Sequence, residues 1–261
     1  MNKQLFILTF FILVFTTSSG CSSQKSIQNV DKKNKTEEKI NATNEYTKEM
    51  KSSEKKKSTE TEKEVVMTSS AMAIEFDSLE TIKKTSTLGV EGLVVAEEPY
   101  VHTQEGGPST PYTKLVLEVT KVLSGDTSLV GQTIIILESG GEITKEELGF
   151  KEKFPGMTEE ELQEEVIVQS DGLENTRVGE EIIGFLTNDM GDMLTEFPFY
   201  SFMGEYQSRF KKNEETDRFE RELPEKGFEE GQKYRRSVAS EEEIRNNAIN
   251  DELNQLVETT K

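Results

Sequence analysis

The chain has 261 residues, with 31 basic against 50 acidic side chains, one cysteine, one histidine and no tryptophan. A formal charge of −19 repels phosphate backbones and anionic head groups, so nucleic acid is excluded as a direct partner. A single thiol excludes an internal disulfide, and one thiol beside one histidine leaves little for metal binding or thiol catalysis.

Asn2 and Lys3 give a short positive start, and residues 5–15, LFILTFFILVF, then run apolar without a charge. As a helix this run spans roughly 16 Å, well short of a hydrocarbon layer of about 30 Å, so it reads as a signal-peptide core and not as a lasting membrane span. Small residues Ser18, Ser19 and Gly20 follow and lead directly to Cys21. With that Gly-Cys ending, residues 1–20 and Cys21 resemble the lipobox signal of bacterial lipoproteins. The resemblance implies that the Cys21 sulfur carries a diacylglycerol and that cleavage makes Cys21 the mature, palmitate-bearing N-terminus. It also implies a protein held on the extracellular side of the cell membrane. Ser18 departs from the aliphatic residue usual in the family, which bears on cleavage more than on attachment. Two acyl chains hold a protein stably where one does not.

Residues 21–69 follow as a tether rich in Lys, Glu, Ser, Thr, Asn and Gln. Between residues 22 and 64 there are 11 lysines and 9 acidic residues, finely mixed. Such a chain buries too little to fold and acts as a disordered, solvated spacer with a reach of roughly 40 Å. Lys55, Lys56 and Lys57 would attract an anionic bilayer, but the interspersed glutamates weaken that reading. The remainder, residues 65–261, carries 19 basic and 41 acidic side chains, a charge of −22.

Residues 70–212 read as a β-rich domain. Asp77 is placed to cap a short helix over 77–86, with Leu79 and Ile82 on its buried face. From Leu88 the period changes to two, with Leu88, Val90, Gly92 and Val94 on one face of a strand whose Pro99 favours an edge or a bulge. The Gly/Pro-rich stretch 103–111 is a loop. YTKLVLEVTKVLSG then sets Leu115, Leu117, Val119 and Leu123 at even spacing, and Thr133–Leu137 is a β-branched core strand that stops at Gly140 and Gly141. Residues 142–165 read as a polar insertion, in which Thr158 and Glu161 spell a capping box. Strands resume at 166–169, at 180–186, at 193–200 after the turn NDMGD, and at 203–210. Short strands with little helix between them predict a mainly β fold, a small antiparallel barrel or sandwich with a short helix before it and a helix at its end. The pattern VEGLVV, VTKVLSG, GxxIIILESGG and VGEEIIGFL resembles uncharacterised secreted domains of Gram-positive bacteria, OB-like in outline. That resemblance implies no activity and no site residues.

Residues 213–261 read as a charged segment and then an amphipathic helix opening at Ser240, with Ile244, Ala248, Ile249, Leu253, Leu256 and Val257 as its apolar stripe. The stripe packs on the domain or on another chain.

No G-x-S-x-G element, P-loop or dinucleotide glycine pattern is present, and His102 reads as an exposed loop residue. Abundant carboxylates leave a glycosidase-like pair as an alternative chemistry. Asp189 and Asp192 around Gly191 could offer oxygen ligands to calcium, but their spacing is not that of an EF-hand and the stretch suits a hairpin turn. Alternation puts Phe197 and Phe199 in the core and leaves Tyr200 or Phe202 for a contact surface. The expectation is a lipid-anchored, non-catalytic binding or presentation module for an envelope or cell-surface protein, with no cofactor, no catalytic or metal residue and Cys21 as its lipidation site. A carboxylate-based, calcium-assisted surface hydrolase and a ligand-carrying lipoprotein are the alternatives.

Overall fold

A computed structural model describes residues 63–69, 75–103, 107, 109–188, 193, 195–224 and 235–260, with side chains of the last segment from 241 onward. The signal segment, Cys21, most of the tether and the Asp189–Asp192 turn lie outside the described residues. Among the described residues ten strands form two sheets. The larger runs in the order β10 (Arg218–Glu220), β9 (Arg209–Asn213), β7 (Glu181–Thr187), β2 (Leu88–His102), β3 (Thr110–Ser124), β4 (Thr133–Ser139), with β8 (Ser201–Phe202) also paired to β7. The smaller has β6 (Glu165–Ser170) between β1 (Glu64–Thr68) and β5 (Gly141–Thr144).

The fold is mainly β, as the period-two stretches predict, but the barrel does not close. β8 pairs with β7, and Tyr200 makes one bridge to Ile136 of β4, its N–H donating to the Ile135 carbonyl at 2.9 Å. The larger sheet therefore curls until one short segment touches strands at both sides of the curl. Inside it lie Leu88, Val90, Leu115, Leu117, Ile134, Ile136, Ile182 and Phe202. On the other face, Ile183, Phe185 and Phe210 pack against α1 (Leu79–Thr85) and α4 (Arg235–Thr259) through Leu79, Ile82, Ile249 and Leu253. β7 is apolar on both faces because each face has its own cover, the reason it reads as an unbroken run.

Several sequence expectations shift. β3 bulges twice against β2, the pairing stepping from Lys121 to Val119 and from Ser124 to Val122 over single steps of β2. Each bulge exchanges the faces, so Val122 joins the cluster around Leu117, and Leu123 turns to the side of Phe210 instead of continuing the row of Leu115. Pro99 sits in the half of β2 that has only β3 beside it, where a missing N–H interrupts no second ladder. Ser78, not Asp77, caps α1, its Oγ accepting from the Thr81 N–H at 3.3 Å.

The tether expected over residues 21–69 overlaps β1, since residues 64–68 pair in parallel with β6. Residues 142–165 are less an insertion than the smaller sheet's own material: they supply β5, α2 (Phe150–Lys153) and α3 (Glu159–Leu162), the last with both bonds of the expected Thr158–Glu161 capping box. Of the strand expected at 193–200, the described residues form none: 195–199 lie outside any strand, with the paired rings of Phe197 and Phe199 packed over Ile135 and Leu137. Within 203–210 a single 3-10 turn, Glu205–Ser208, precedes β9.

The larger sheet continues through residue 213. β9 and β10 form a hairpin there, and α4 begins at Arg235, five residues before Ser240. Its stripe packs within the chain, but Ile244 is 66% exposed and Ala248 points to solvent. The buried face instead carries Asn246, Asn250 and Asn254, four apart. Asn254 accepts from the Phe219 N–H at 3.0 Å and donates to its carbonyl at 2.8 Å. Asn250 accepts from the Arg221 N–H, and Asn246 donates to the Arg221 carbonyl, both at 3.0 Å. Side-chain amides thus complete the open edge of β10, which would otherwise offer unpaired backbone groups to another strand.

Candidate functional site

The polar groups gather where the two sheets meet. β4 ends at Ser139, and the chain crosses to β5 through Gly140 and Gly141 at φ of +91° and +135°. A Cβ on Gly140 would lie 2.6 Å from the Val168 carbonyl oxygen, so only glycine lets the sheets approach this closely. The pair that reads in sequence as a strand terminus is the crossing point between sheets. Beside it lies a cavity of about 90 Å³ lined by Glu138, Ser139, Ser170, Asp171, Asn175, Glu205, Tyr206 and Arg209, with Leu137, Leu173 and Phe202 as its apolar wall.

Glu138 and Arg209 form its buried ion pair, each side chain 6% exposed. Arg209 Nη1 donates to Glu138 Oε1 and to the Glu174 carbonyl, the latter at 3.1 Å, and Nη2 donates to Glu222 Oε2 at 2.9 Å. Glu138 also accepts from the Thr176 N–H at 2.9 Å and from its hydroxyl at 3.2 Å. Charges removed from water are tolerated when geometry and further hydrogen bonds compensate, and here β4, β9, the 174–176 connection and the chain after β10 all contribute.

Glu205 spans the joint. Its Oε2 accepts from Ser170 Oγ of β6 at 2.7 Å and its Oε1 from Ser139 Oγ of β4 at 3.4 Å, one carboxylate touching both sheets. Its backbone is left-handed, φ +55°, which is costly for a residue with a long side chain. Asp171 has the same φ for an ordinary reason: with Gly172 at +72° and the Leu173 N–H donating to the Ser170 carbonyl at 3.1 Å, it forms an Asp-Gly turn. Burial pushes the Tyr206 hydroxyl above its ordinary range, and the Glu242 carboxylate adds to this, so the phenol remains a neutral group.

Across Asn175, whose Nδ2 donates to the Ser139 carbonyl at 2.9 Å, lies a second cavity of about 120 Å³ that includes Glu97, Glu98, Glu142 and Arg177. Burial raises the Glu97 carboxyl, while Arg177, 3.5 Å away, and the Val178 N–H at 3.1 Å pull it down.

Among the described residues no group of three or more His, Cys, Asp and Glu side chains is placed to hold a metal ion. His102 is not in a loop: it ends β2, half-buried and paired with Thr110, and lines neither of these cavities. The aromatic contact surface expected at Tyr200 or Phe202 does not form. Phe202 is 7% exposed inside the curl, and Tyr200 is half-buried beside it. Cys21, Asp189 and Asp192 are outside the described residues. Glu138, Glu205 and Arg209 carry no motif in the sequence; the one available signal was at Glu138, a charge that directly follows the apolar run IIIL. No helix among the described residues is long and apolar enough to cross a membrane. No family model, curated protein or solved structure matches the chain.

Proposed function

We propose that this chain is a lipid-anchored, non-catalytic module that presents an acidic β domain from the outer face of the cell membrane to a protein of the envelope or cell surface. The observation that carries the non-catalytic reading is the engagement of two of the three cavity carboxylates, Glu138 and Glu205. Glu138 is bound by Arg209 and by two donors of Thr176, and Glu205 by the hydroxyls of Ser139 and Ser170. A general acid or base needs a side chain free to exchange its proton with substrate, and these are tied to the joint between sheets. The charge of −22 over residues 65–261 favours a partner with a basic face.

A carboxylate hydrolase is the second reading, favoured by one feature: Glu138, Asp171 and Glu205 line the same cavity. Replacing Glu205 by Gln keeps a hydrogen-bond acceptor and removes the charge, so this reading predicts loss of turnover in a folded protein.

Anchoring is tested by metabolic palmitate labelling and fractionation of wild type and Cys21→Ser. The expected result is labelled protein in the membrane fraction for wild type, and unlabelled, released protein for the variant. Cys21→Ser remaining in the membrane fraction as before would overturn the proposal.

A further inference from the structure

We infer that β1 is a releasable strap whose detachment loosens the wall of the cavity between the sheets. β1 is the first described strand of the chain and, among the described residues, lies at one edge of the smaller sheet, paired only to β6. None of its five side chains is fully buried. Val66 alone turns inward, against Ile143, Val166 and Val168, while Val65 is 44% and Met67 69% exposed. A strand with one apolar anchor and a single parallel ladder belongs to the low-stability end of a fold.

Beside the ladder, Thr68 Oγ1 donates to the Gln169 carbonyl at 3.4 Å, and the ion pairs around β1 have solvent-exposed carboxylates. Lys63 pairs with Glu142 at 2.8 Å and with Glu165 at 2.7 Å, and Lys145 pairs with Glu64 at 2.9 Å and with Glu164 at 2.7 Å. Pairs of this kind are individually weak and are screened by salt. The hydrophobic interior of the larger sheet includes no residue of β1, so the strap can leave without opening that core.

The far end of the strap touches the cavity wall. The Thr68 carbonyl accepts from the Asp171 N–H at 2.7 Å, and Met67 Sδ lies 3.8 Å from the position a Cβ would take on Gly172. Thr68 is also the register partner of Ser170, whose hydroxyl holds Glu205. Ser170 and Asp171 line the cavity, so a docked β1 pins the turn that shapes it, and a released β1 frees that turn. The coupling stands on this geometry alone; its meaning as a link between the anchor segment and the cavity rests on the proposed lipid anchoring.

Hydrogen exchange followed by mass spectrometry on the full chain tests the coupling without any lipid. In wild type, amides of 64–68 and 170–173 should exchange at least about tenfold faster than those of β2 and β3, as expected of a local opening. Val66→Asp should accelerate both segments by a similar factor and leave β2, β3 and the melting temperature unchanged. Raising salt on the wild-type chain should act in the same direction, which keeps the test valid if the variant folds poorly. Exchange of 64–68 only at the rate of β2, or acceleration of 64–68 with 170–173 unchanged, would overturn the inference.

Discussion

Around Leu117 and Ile136 the curled sheet is held by aliphatic side chains with no accessible surface, whereas the joint between the sheets is held by Glu138, Arg209, Thr176 and Glu205 through directed bonds. Apolar packing tolerates substitutions that keep volume and shape. A buried charge network tolerates almost none made one partner at a time, because each removal leaves the other partner buried and unpaired. The two regions should therefore fail differently.

The largest expected effect is at the joint. Arg209→Met leaves Glu138 without its cation and should cost about 3–5 kcal/mol in urea unfolding. Adding Glu138→Leu to it should recover much of that loss, a non-additivity that a double-mutant cycle reads directly. In the curl, Leu117→Ala should cost about 2–5 kcal/mol, and there a return to Met should recover most of the stability with no second substitution. Where amides complete the edge of β10, Asn250→Ala orphans the Arg221 N–H and should cost about 1–3 kcal/mol, with faster exchange at Phe219 to Arg221.

The smallest effect depends on pH. Burial raises the Glu97 carboxyl, against the pull of Arg177, so the folded chain holds this proton more tightly than the unfolded chain does. Its contribution to stability is then fully present below the ordinary glutamate value and is lost as pH rises through the raised one. Glu97→Gln should match wild type in acid and exceed it near neutrality, by less than about 1 kcal/mol because the side chain is partly solvated and screened. Urea midpoints at the two pH values check the sign.

The same comparison explains what was legible beforehand. Strands at 112–125 and 133–137 are visible because alternation and β-branching are local signals, and the Thr158–Glu161 capping box is complete within four residues. The joint is not visible, because Glu138 and Arg209 lie 71 positions apart and nothing near either one announces the other. β1 is hidden by position, a short EVVMT at the end of a charged stretch, with its partner β6 about a hundred residues on. The asparagines of α4 carry no local signal of burial, because the backbone groups they bind belong to β10 and the residue after it. A single inserted residue moved Leu123 to the opposite face, since period-two reasoning has no means of seeing a bulge.

Chemical crosslinking on intact cells, with mass spectrometry of what is captured, tests the proposed presentation role most directly. The two proteins to compare are the native chain and a version lacking residues 24–60, a deletion that spares Lys63 and β1. The account predicts one reproducible envelope or surface partner for the native chain, lost or exchanged when the spacer is shortened. No specific capture by the native chain would contradict it.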